Sequence, residues 1–359
     1  MQNITLPYWE DFFAIFIAIK FLLLNTAPRF CLSNLNFYYF YMLYTAECVT
    51  PRHPDKICDQ ISDLILDLCL QKDPHSRVAV ETMGGHGQIT ITGEVTTNAL
   101  LSNAKIKSTI LKHFPELKDY KFAINLAKQS SQIAQGVDIG GAGDQGIMIG
   151  YACNENSEFM PQEYFLARKL AKSIYSKYPF DGKTQVTLDD KGNVIAVVAS
   201  FQNVDRSTLL SEVKNVIPNA KEYFINPAGD WNIGGFDADA GVTGRKLAVD
   251  NYGPRIPIGG GAFSGKDGTK VDRSGAYIAR RIAVDYLLKF NAKEVHTKLA
   301  YSIGVAKPVM AVAIVDGKEV EIHDYDLTPQ GIIDLLKLRN PQYYQTAQWG
   351  HLGRGFEWR

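Results

Sequence analysis

The stretch PDKICDQISDLILDLCLQKDPHSRVAVETMGGHGQITITGEVT, residues 54–96, decides the fold class. Its first part reads as an amphipathic helix over residues 55–70, because Ile57, Ile61, Leu64, Ile65 and Leu68 recur at helical spacing on one stripe. Pro54 suits the first turn, where its missing N–H costs nothing, and Asp55 suits the positive end of the helix dipole. Two runs with alternating character follow, residues 77–83 and 88–96, joined by Gly84-Gly85-His86-Gly87, and they read as paired strands. A second helical stretch, residues 100–113, completes the order helix, strand, strand, helix.

Outward from this stretch the order recurs. Residues 162–178 read as a helix, residues 184–188 and 194–200 as a hairpin around Asp189-Asp190-Lys191-Gly192-Asn193, and residues 208–216 as the helix after it. A third round places helices at 273–290 and 329–338 and strands at 294–305 and 309–315. The spacing is roughly 110 residues with no residue-level identity between rounds, so the repeat is one of architecture. The expected class is α+β: three similar units, each a sheet covered by helices on one face. The chain divides accordingly into a hydrophobic extension (1–43), an N-terminal domain (44–134), a central domain (135–233) and a C-terminal domain (234–359). Stretches rich in glycine and charge precede each first helix, at 47–56, 135–150 and 234–273, and such loops are where chemistry concentrates.

Composition narrows the function classes. The 359 residues are 46% hydrophobic, enough for a large core, and Lys+Arg and Asp+Glu balance at 38 each. A net charge of zero gives no global attraction to nucleic acid or to an acidic membrane, so a charged ligand must meet a local cluster. The five cysteines, Cys31, Cys48, Cys58, Cys69 and Cys153, form no CxxC pair. That argues against a disulfide framework or a zinc site and for a reducing, cytoplasmic setting. Cys58 and Cys69 fall on or beside the first helical stripe and read as packing residues. Residues 12–24 are apolar except for Lys20, too short for an ordinary membrane span, and Glu10 and Asp11 precede them where a signal peptide needs positive charge. The extension reads most simply as non-native or dispensable, against an ordered packed segment or a targeting segment.

Four motifs carry candidate chemistry. His53-Pro54-Asp55-Lys56, with Asp59 one turn on, sets a histidine, hard carboxylate oxygen and an amine at a helix start, a combination suited to a metal-bound polyphosphate; the plainer reading is helix capping. Gly140-Gly141-Ala142-Gly143-Asp144-Gln145-Gly146 lets backbone approach a ligand, with Asp144 free to bond an adenine or ribose edge; the plainer reading is a tight turn. It opens no βαβ unit, which excludes a dinucleotide fold. Residues 259–273 hold three consecutive glycines and then Lys266, Lys270 and Asp272. Gly260 to Lys266 matches GxxxxGK, but Asp267 stands where a P-loop needs Ser or Thr, and Pro254 and Pro257 exclude a preceding buried strand. This leaves a generic phosphate cradle with a candidate metal ligand in Asp272, or a glycine hinge with surface charges. In residues 239–246, Arg245 and Lys246 follow two glycines and suit a phosphate chain, or form a solvated pair. No Ser-His-Asp or Cys-His constellation stands out, and the seven histidines never take zinc-ligand spacing.

Taken together, TAECVTPRHPDKICDQISD (45–63), GAGDQGIMIGYA (141–152), FINPAG (224–229), GVTGRK (241–246), GGGAFSGKDGTKVDRSGAYIARR (259–281), SIGVAKP (302–308) and GHLGR (350–354) resemble the S-adenosylmethionine synthetases (methionine adenosyltransferases), in family order. The resemblance covers the chain from about Tyr44 onward and does not reach the extension. It implies three α+β domains with pseudo-threefold symmetry, and a homodimer with active sites at the subunit interface, with pairing into tetramers as the further step. The implied activity joins ATP to L-methionine and then hydrolyses the tripolyphosphate to phosphate and diphosphate, with two Mg²⁺ per site and K⁺. Such chemistry needs no general base, since a thioether sulfur has no proton to lose; it needs alignment and stabilisation of the leaving triphosphate.

Carried over by motif, the catalytic groups would be His53, Lys183, Arg245, Lys266 and Lys270. ATP would be met by His53, Asp144, Asp181, Lys183, Asp239, Arg245, Lys246, Ala262 and Lys266, and at the positions of Asp230 and Trp231. Methionine would be met by Glu94, Gln129, Asp239, Lys270 and Ile303. Asp55 and Asp272 would bind Mg²⁺ and Glu81 K⁺, and residues 129–138 resemble a loop that gates the site. Several positions depart from the family pattern: Pro51-Arg52 for Glu-Gly, Cys48 for Ser, Asp230-Trp231 for Arg-Phe, and a short loop between Asp138 and Gly141. Arg52 is expected to crowd the metal region. Two other readings are a non-catalytic homologue acting as a regulatory or interaction subunit, and an unrelated kinase using the near-P-loop.

Overall fold

The computed structural model describes residues 42–129 and 140–359. Residues 1–41 of the extension, Cys31 among them, and most of the expected gating loop lie outside the described residues. In chain order the longer elements are β1 (Tyr44–Val49), α1 (Pro54–Leu70), β2 (Arg77–Gly85), β3 (Gln88–Thr96), α2 (Asn103–His113), β4 (Lys121–Ala127), β5 (Gly146–Cys153), α3 (Gln162–Tyr175), β6 (Gly182–Leu188), β7 (Val194–Phe201), α4 (Arg206–Val216), β8 (Glu222–Ile225), the short β9 (Gly241–Val242), α5 (Val271–Phe290), β10 (Glu294–Tyr301), β11 (Met310–Val315), β12 (Lys318–Glu321) and α6 (Pro329–Leu335). The helix, strand, strand, helix order therefore occurs three times.

Helix starts follow local chemistry. The His53 ring accepts the Asp55 N–H at 3.2 Å, Ser102 caps α2, Asp205 caps α4 and Thr328 caps α6, each side chain taking an orphan backbone N–H. Asp205 moves the start of α4 two residues ahead of the expected 208. The strand expected over 294–305 stops at Tyr301, because Val305 N–H returns to the Ser302 carbonyl in a turn with Gly304 at φ 75°.

The sheets are shared between rounds, which no local pattern signals. Three four-stranded sheets form, in the orders β1-β6-β7-β8, β12-β11-β10-β5 and β4-β3-β2-β9. The strand that opens each round leaves its own helices and pairs antiparallel with the first hairpin strand of another round. β1 runs along β6 from Tyr44↔Leu188 to Val49↔Lys183, β5 runs along β10, and β9 joins β2 at Met83↔Val242 and Gly84↔Gly241. The exchange is cyclic, first to second, second to third, third to first, so the three rounds interlock through backbone hydrogen bonds. The likeness breaks at one place: β4 and β8 follow their second helices and lie parallel to their neighbours, whereas β12 forms a hairpin with β11 ahead of α6.

Each sheet, in the order given, has its own apolar core, built on α3, α5 and α1 respectively. The helix α1 corrects the simple amphipathic reading. Every residue of it is buried except Leu68, which the periodicity had placed on the buried stripe. Its polar face is buried as well, and each charge there has partners. Lys56 Nζ lies 3.0 Å from Asp59 and 2.6 Å from Asp250, Asp63 receives both prongs of Arg273 at 2.7 and 2.9 Å, and Asp67 accepts the N–H groups of Tyr343 and Tyr344 at 3.0 and 2.9 Å. Without such partners each buried charge would cost several kcal/mol. The C-terminal segment is tied in by buried arginines of the other two core helices, since Arg168 on α3 donates to the carbonyls of Leu352 and Gly353 and Arg280 on α5 to that of Arg359. Cys48, Cys58, Cys69 and Cys153 are buried and unpaired. Desolvation pushes their thiols up, Cys48 and Cys153 to about 11 and Cys69 to about 12, which fits packing rather than reactivity.

Asp67 gives a pH prediction. Burial lifts its carboxyl to about 6 against the lowering N–H groups of Tyr344 and Tyr343. An unfolded aspartate titrates near ~3.9. A folded value above the unfolded one means that the contribution is full at low pH and is lost as pH rises through about 6. The stability gap between wild type and Asp67→Asn is therefore expected to shrink by about 2 kcal/mol from about pH 4.5 to about pH 7.5, read by urea unfolding. A gap that widens over that range contradicts the assignment.

Candidate functional site

Most of the expected site residues gather in two groups. The first surrounds the head of α1. Asp55 is held by Lys246 Nζ at 2.6 Å, by the Val242 N–H at 3.0 Å and by Arg245 Nε at 3.6 Å. Burial alone would raise this carboxyl, but the Lys246 ammonium and the Val242 N–H hold it below the usual range. His53 Nδ1 sits 3.9 Å from Asp55. Desolvation, and next the charge of Lys246, push His53 down to about 4, so it is neutral near pH 7. Lys183 projects from the exposed face of β6, with Nζ 2.7 Å from Glu47. Asp181, just before that strand, accepts the Gly235 N–H at 2.9 Å, and burial lifts it to about 6. Lys183 and Asp239 both act electrostatically on His53.

The second group lines a cavity of about 200 Å³ formed by Ala79, Glu94, Gln129, Gly143, Asp144, Lys266, Lys270, Val271 and Asp272. Lys266 Nζ is 2.6 Å from Asp272 and Lys270 Nζ 2.9 Å from Asp267. Gly261 permits this packing, because a Cβ there would come 2.3 Å from the Asp272 carboxylate. Among the described residues Gln129 Oε1 is buried without a hydrogen-bond partner, an acceptor left open at the cavity. Glu94 and Glu81 lie on the same outer face of the β2–β3 pair, opposite Ala79 and Thr92. Desolvation raises the Glu81 carboxyl, with Lys266 pulling it down.

The two groups lie along one edge of β2. Lys266 bridges Ala79 and Val242 pairs with Met83, four residues on, or about 13 Å at strand spacing. Ala262 ties them together: a methyl on Gly244 would come 2.6 Å from its Cβ. His53 and Asp55 nevertheless do not line the cavity that holds Lys266. Asp230 and Trp231 line a separate open groove with Asn203, Val204, Asp205 and Asn232; Asn226 donates to Asp230 and Trp231 Nε1 to Ser200. Ile303 is exposed beside the glycine loop, where Ala142 donates its N–H to the Val305 carbonyl and accepts the Gly304 N–H, but it does not line the cavity.

Three expectations need correction. Lys56 and Asp59, read as part of a ligand-binding cluster, are buried against each other, Asp250 and the Gly244 N–H, so neither is open to a ligand. Arg52 does not crowd the metal region; it pairs with Glu116 and stacks over Phe114. Asp267, noted only as a misfit to a P-loop, bonds the Val78 N–H at 2.7 Å and fastens the glycine loop to β2. The supporting role of Asp63, Asp267 and Arg273 escaped the motif reading; the four-residue spacing of Asp55, Asp59, Asp63 and Asp67 was the available signal.

Among the described residues no three His, Cys, Asp or Glu side chains gather as a metal cage. Asp55 and Asp272 are single carboxylates, each facing a lysine. That donor set fits a hard cation arriving with a polyphosphate and keeping its own waters, not an ion caged by protein alone. No helix among the described residues is long and apolar enough to cross a membrane.

Comparison with known proteins identifies the three domains. Residues 41–136 match the N-terminal domain of S-adenosylmethionine synthetase, residues 139–231 its central domain and residues 233–359 its C-terminal domain. The chain belongs to the S-adenosylmethionine synthetase family. It is 41% identical to the S-adenosylmethionine synthase of Clostridium tetani (strain Massachusetts / E88), over 87% of this chain and 94% of that protein. The opening strands β1, β5 and β9 each fall inside one synthetase match while completing the sheet of another.

Proposed function

We propose that the chain makes S-adenosylmethionine from ATP and L-methionine, as an active methionine adenosyltransferase. The observation that carries the reading is the pair of cationic loops, Arg245-Lys246 and Lys266 to Lys270, held on one edge of β2 with carboxylates between them. Arg245, Lys246 and Lys266 grip the triphosphate, and Lys183 extends the grip. His53, neutral and at a helix N-terminus, donates a hydrogen bond to the departing oxygen. Asp144, Asp181 and Asp239 orient the nucleotide with Ala262 at its side. Asp230 and Trp231 need a second copy or a loop movement to reach it. Glu94, the open acceptor of Gln129 and Lys270 hold methionine so that its sulfur faces the 5′ carbon, with Asp239 and Ile303 beside it. The same cations then hold the tripolyphosphate for hydrolysis.

Mg²⁺, held by Asp55 and Asp272, would neutralise the charge that builds on the polyphosphate, and Glu81 would hold K⁺. Lys246 and Lys266 occupy those carboxylates here and are the cations that turn to the phosphates. Because the Lys266 cavity lacks His53 and Asp55, a second copy of the chain completes each site. The exposed Met83, Ile147 and Met310 on the sheets support a covered face, with a homodimer as the unit and a tetramer as its pairing. The four free thiols among the described residues and the proposed substrates support a cytoplasmic location. The test is phosphate release in the presence of ATP, Mg²⁺ and K⁺. Release that requires methionine supports the reading; none with folded protein supports a regulatory subunit, and release without methionine an unrelated ATPase or kinase.

A further inference from the structure

The polar face of α1 carries aspartates at four-residue spacing, so they stack on one side of the helix. Each accepts a backbone N–H from a distant loop: Asp55 from Val242 at 3.0 Å, Asp59 from Gly244 at 2.8 Å, Asp63 from Gly265 at 2.8 Å, and Asp67 from Tyr343 and Tyr344. The middle two share a pattern. Gly244 has φ 78° and precedes Arg245; Gly265 has φ 81° and precedes Lys266. A side chain is excluded at both, because a Cβ would fall 2.6 Å from Ala262 in one case and 2.0 Å from the Val80 carbonyl in the other. The carboxylates are themselves fixed. Lys56, shared with Asp250, holds Asp59. Arg273 holds Asp63 and also donates to the Lys266 carbonyl at 3.0 Å and to Thr346.

We propose that Asp59 and Asp63 are positioning residues for the polyphosphate grip: each clamps a left-handed glycine from beneath, and so sets where the following cation, Arg245 or Lys266, points. Neither touches substrate. One rigid helix thereby anchors both cationic loops of a chain in a common frame, whichever site each loop serves. A mobile lysine or arginine would spend part of its attraction on being ordered, and the clamp removes that cost before the ligand arrives. The inference rests on the site assignment above and deepens it.

The test uses the full chain with Mg²⁺ and inorganic tripolyphosphate as probe, with binding read by calorimetry and folding by circular dichroism. Asp59→Asn keeps an acceptor for the Gly244 N–H, and Lys56 keeps Asp250, so its Kd is expected within about threefold of wild type. Asp59→Leu has similar volume and no acceptor; its Kd is expected to rise about tenfold or more. KM for methionine should not move in either. Asp59→Glu keeps the charge but displaces the carboxylate by one methylene. It too should weaken binding, and it decides the matter if the leucine variant does not fold. Wild-type Kd in folded Asp59→Leu or Asp59→Glu overturns the proposal, since a merely structural role lowers the melting temperature and leaves the affinity of the folded protein alone. Lys246→Ala is measured alongside. If it weakens binding and the Asp59 variants do not, only the positioning role fails. If it binds as wild type, the site assignment and the proposal fall together.

Discussion

Replacing Lys266 by alanine is expected to lower kcat by about 10² to 10³-fold while leaving the protein folded. Lys266 sits at the meeting point of the glycine loop and β2, bridges Ala79 through its backbone and points its ammonium at Asp272 across the cavity. That backbone anchor uses the main chain and survives the substitution, so the loss is one of charge at the leaving triphosphate. The ion pair with Asp272 is partly exposed and adds little to stability. Cys69→Ser is the matched control. It puts a hydroxyl into the apolar core under α1, where an unbonded polar group costs about 1–3 kcal/mol, and it is remote from both cationic loops. Steady-state kinetics and thermal melts on the pair should separate cleanly. Equal loss of turnover in both, with both folded, would contradict the site assignment.

The largest stability effect is expected at Arg273. Its guanidinium is fully buried, binds both oxygens of Asp63, and adds Thr346, the Lys266 carbonyl and the faces of Tyr343 and Tyr277. Arg273→Met fills most of the volume but leaves Asp63 as a buried carboxylate with the Gly265 N–H as its remaining hydrogen bond. Breaking such a pair costs about 3–5 kcal/mol. A denaturation midpoint shifted by much less would mean that water or another cation reaches Asp63. Removing both charges in Asp63→Asn combined with Arg273→Met should recover part of the loss, because no lone charge then remains in the core.

Element order, family and the chemical character of the loops are legible in the residues alone, because these depend on short-range pattern. Helical periodicity reveals α1 and α5, alternation reveals the β2–β3 and β6–β7 hairpins, and clustered glycine and lysine announce a phosphate cradle. That β1, β5 and β9 leave their own rounds to complete other sheets emerges at the level of the folded chain, since strand pairing over long separations has no local signature. Tertiary packing also decides which charges serve the ligand and which serve the core. Lys56, Asp59, Asp63 and Arg273 look in sequence like the site residues beside them, but burial fixes them against one another, and a charge with its partner already chosen is not open to a substrate.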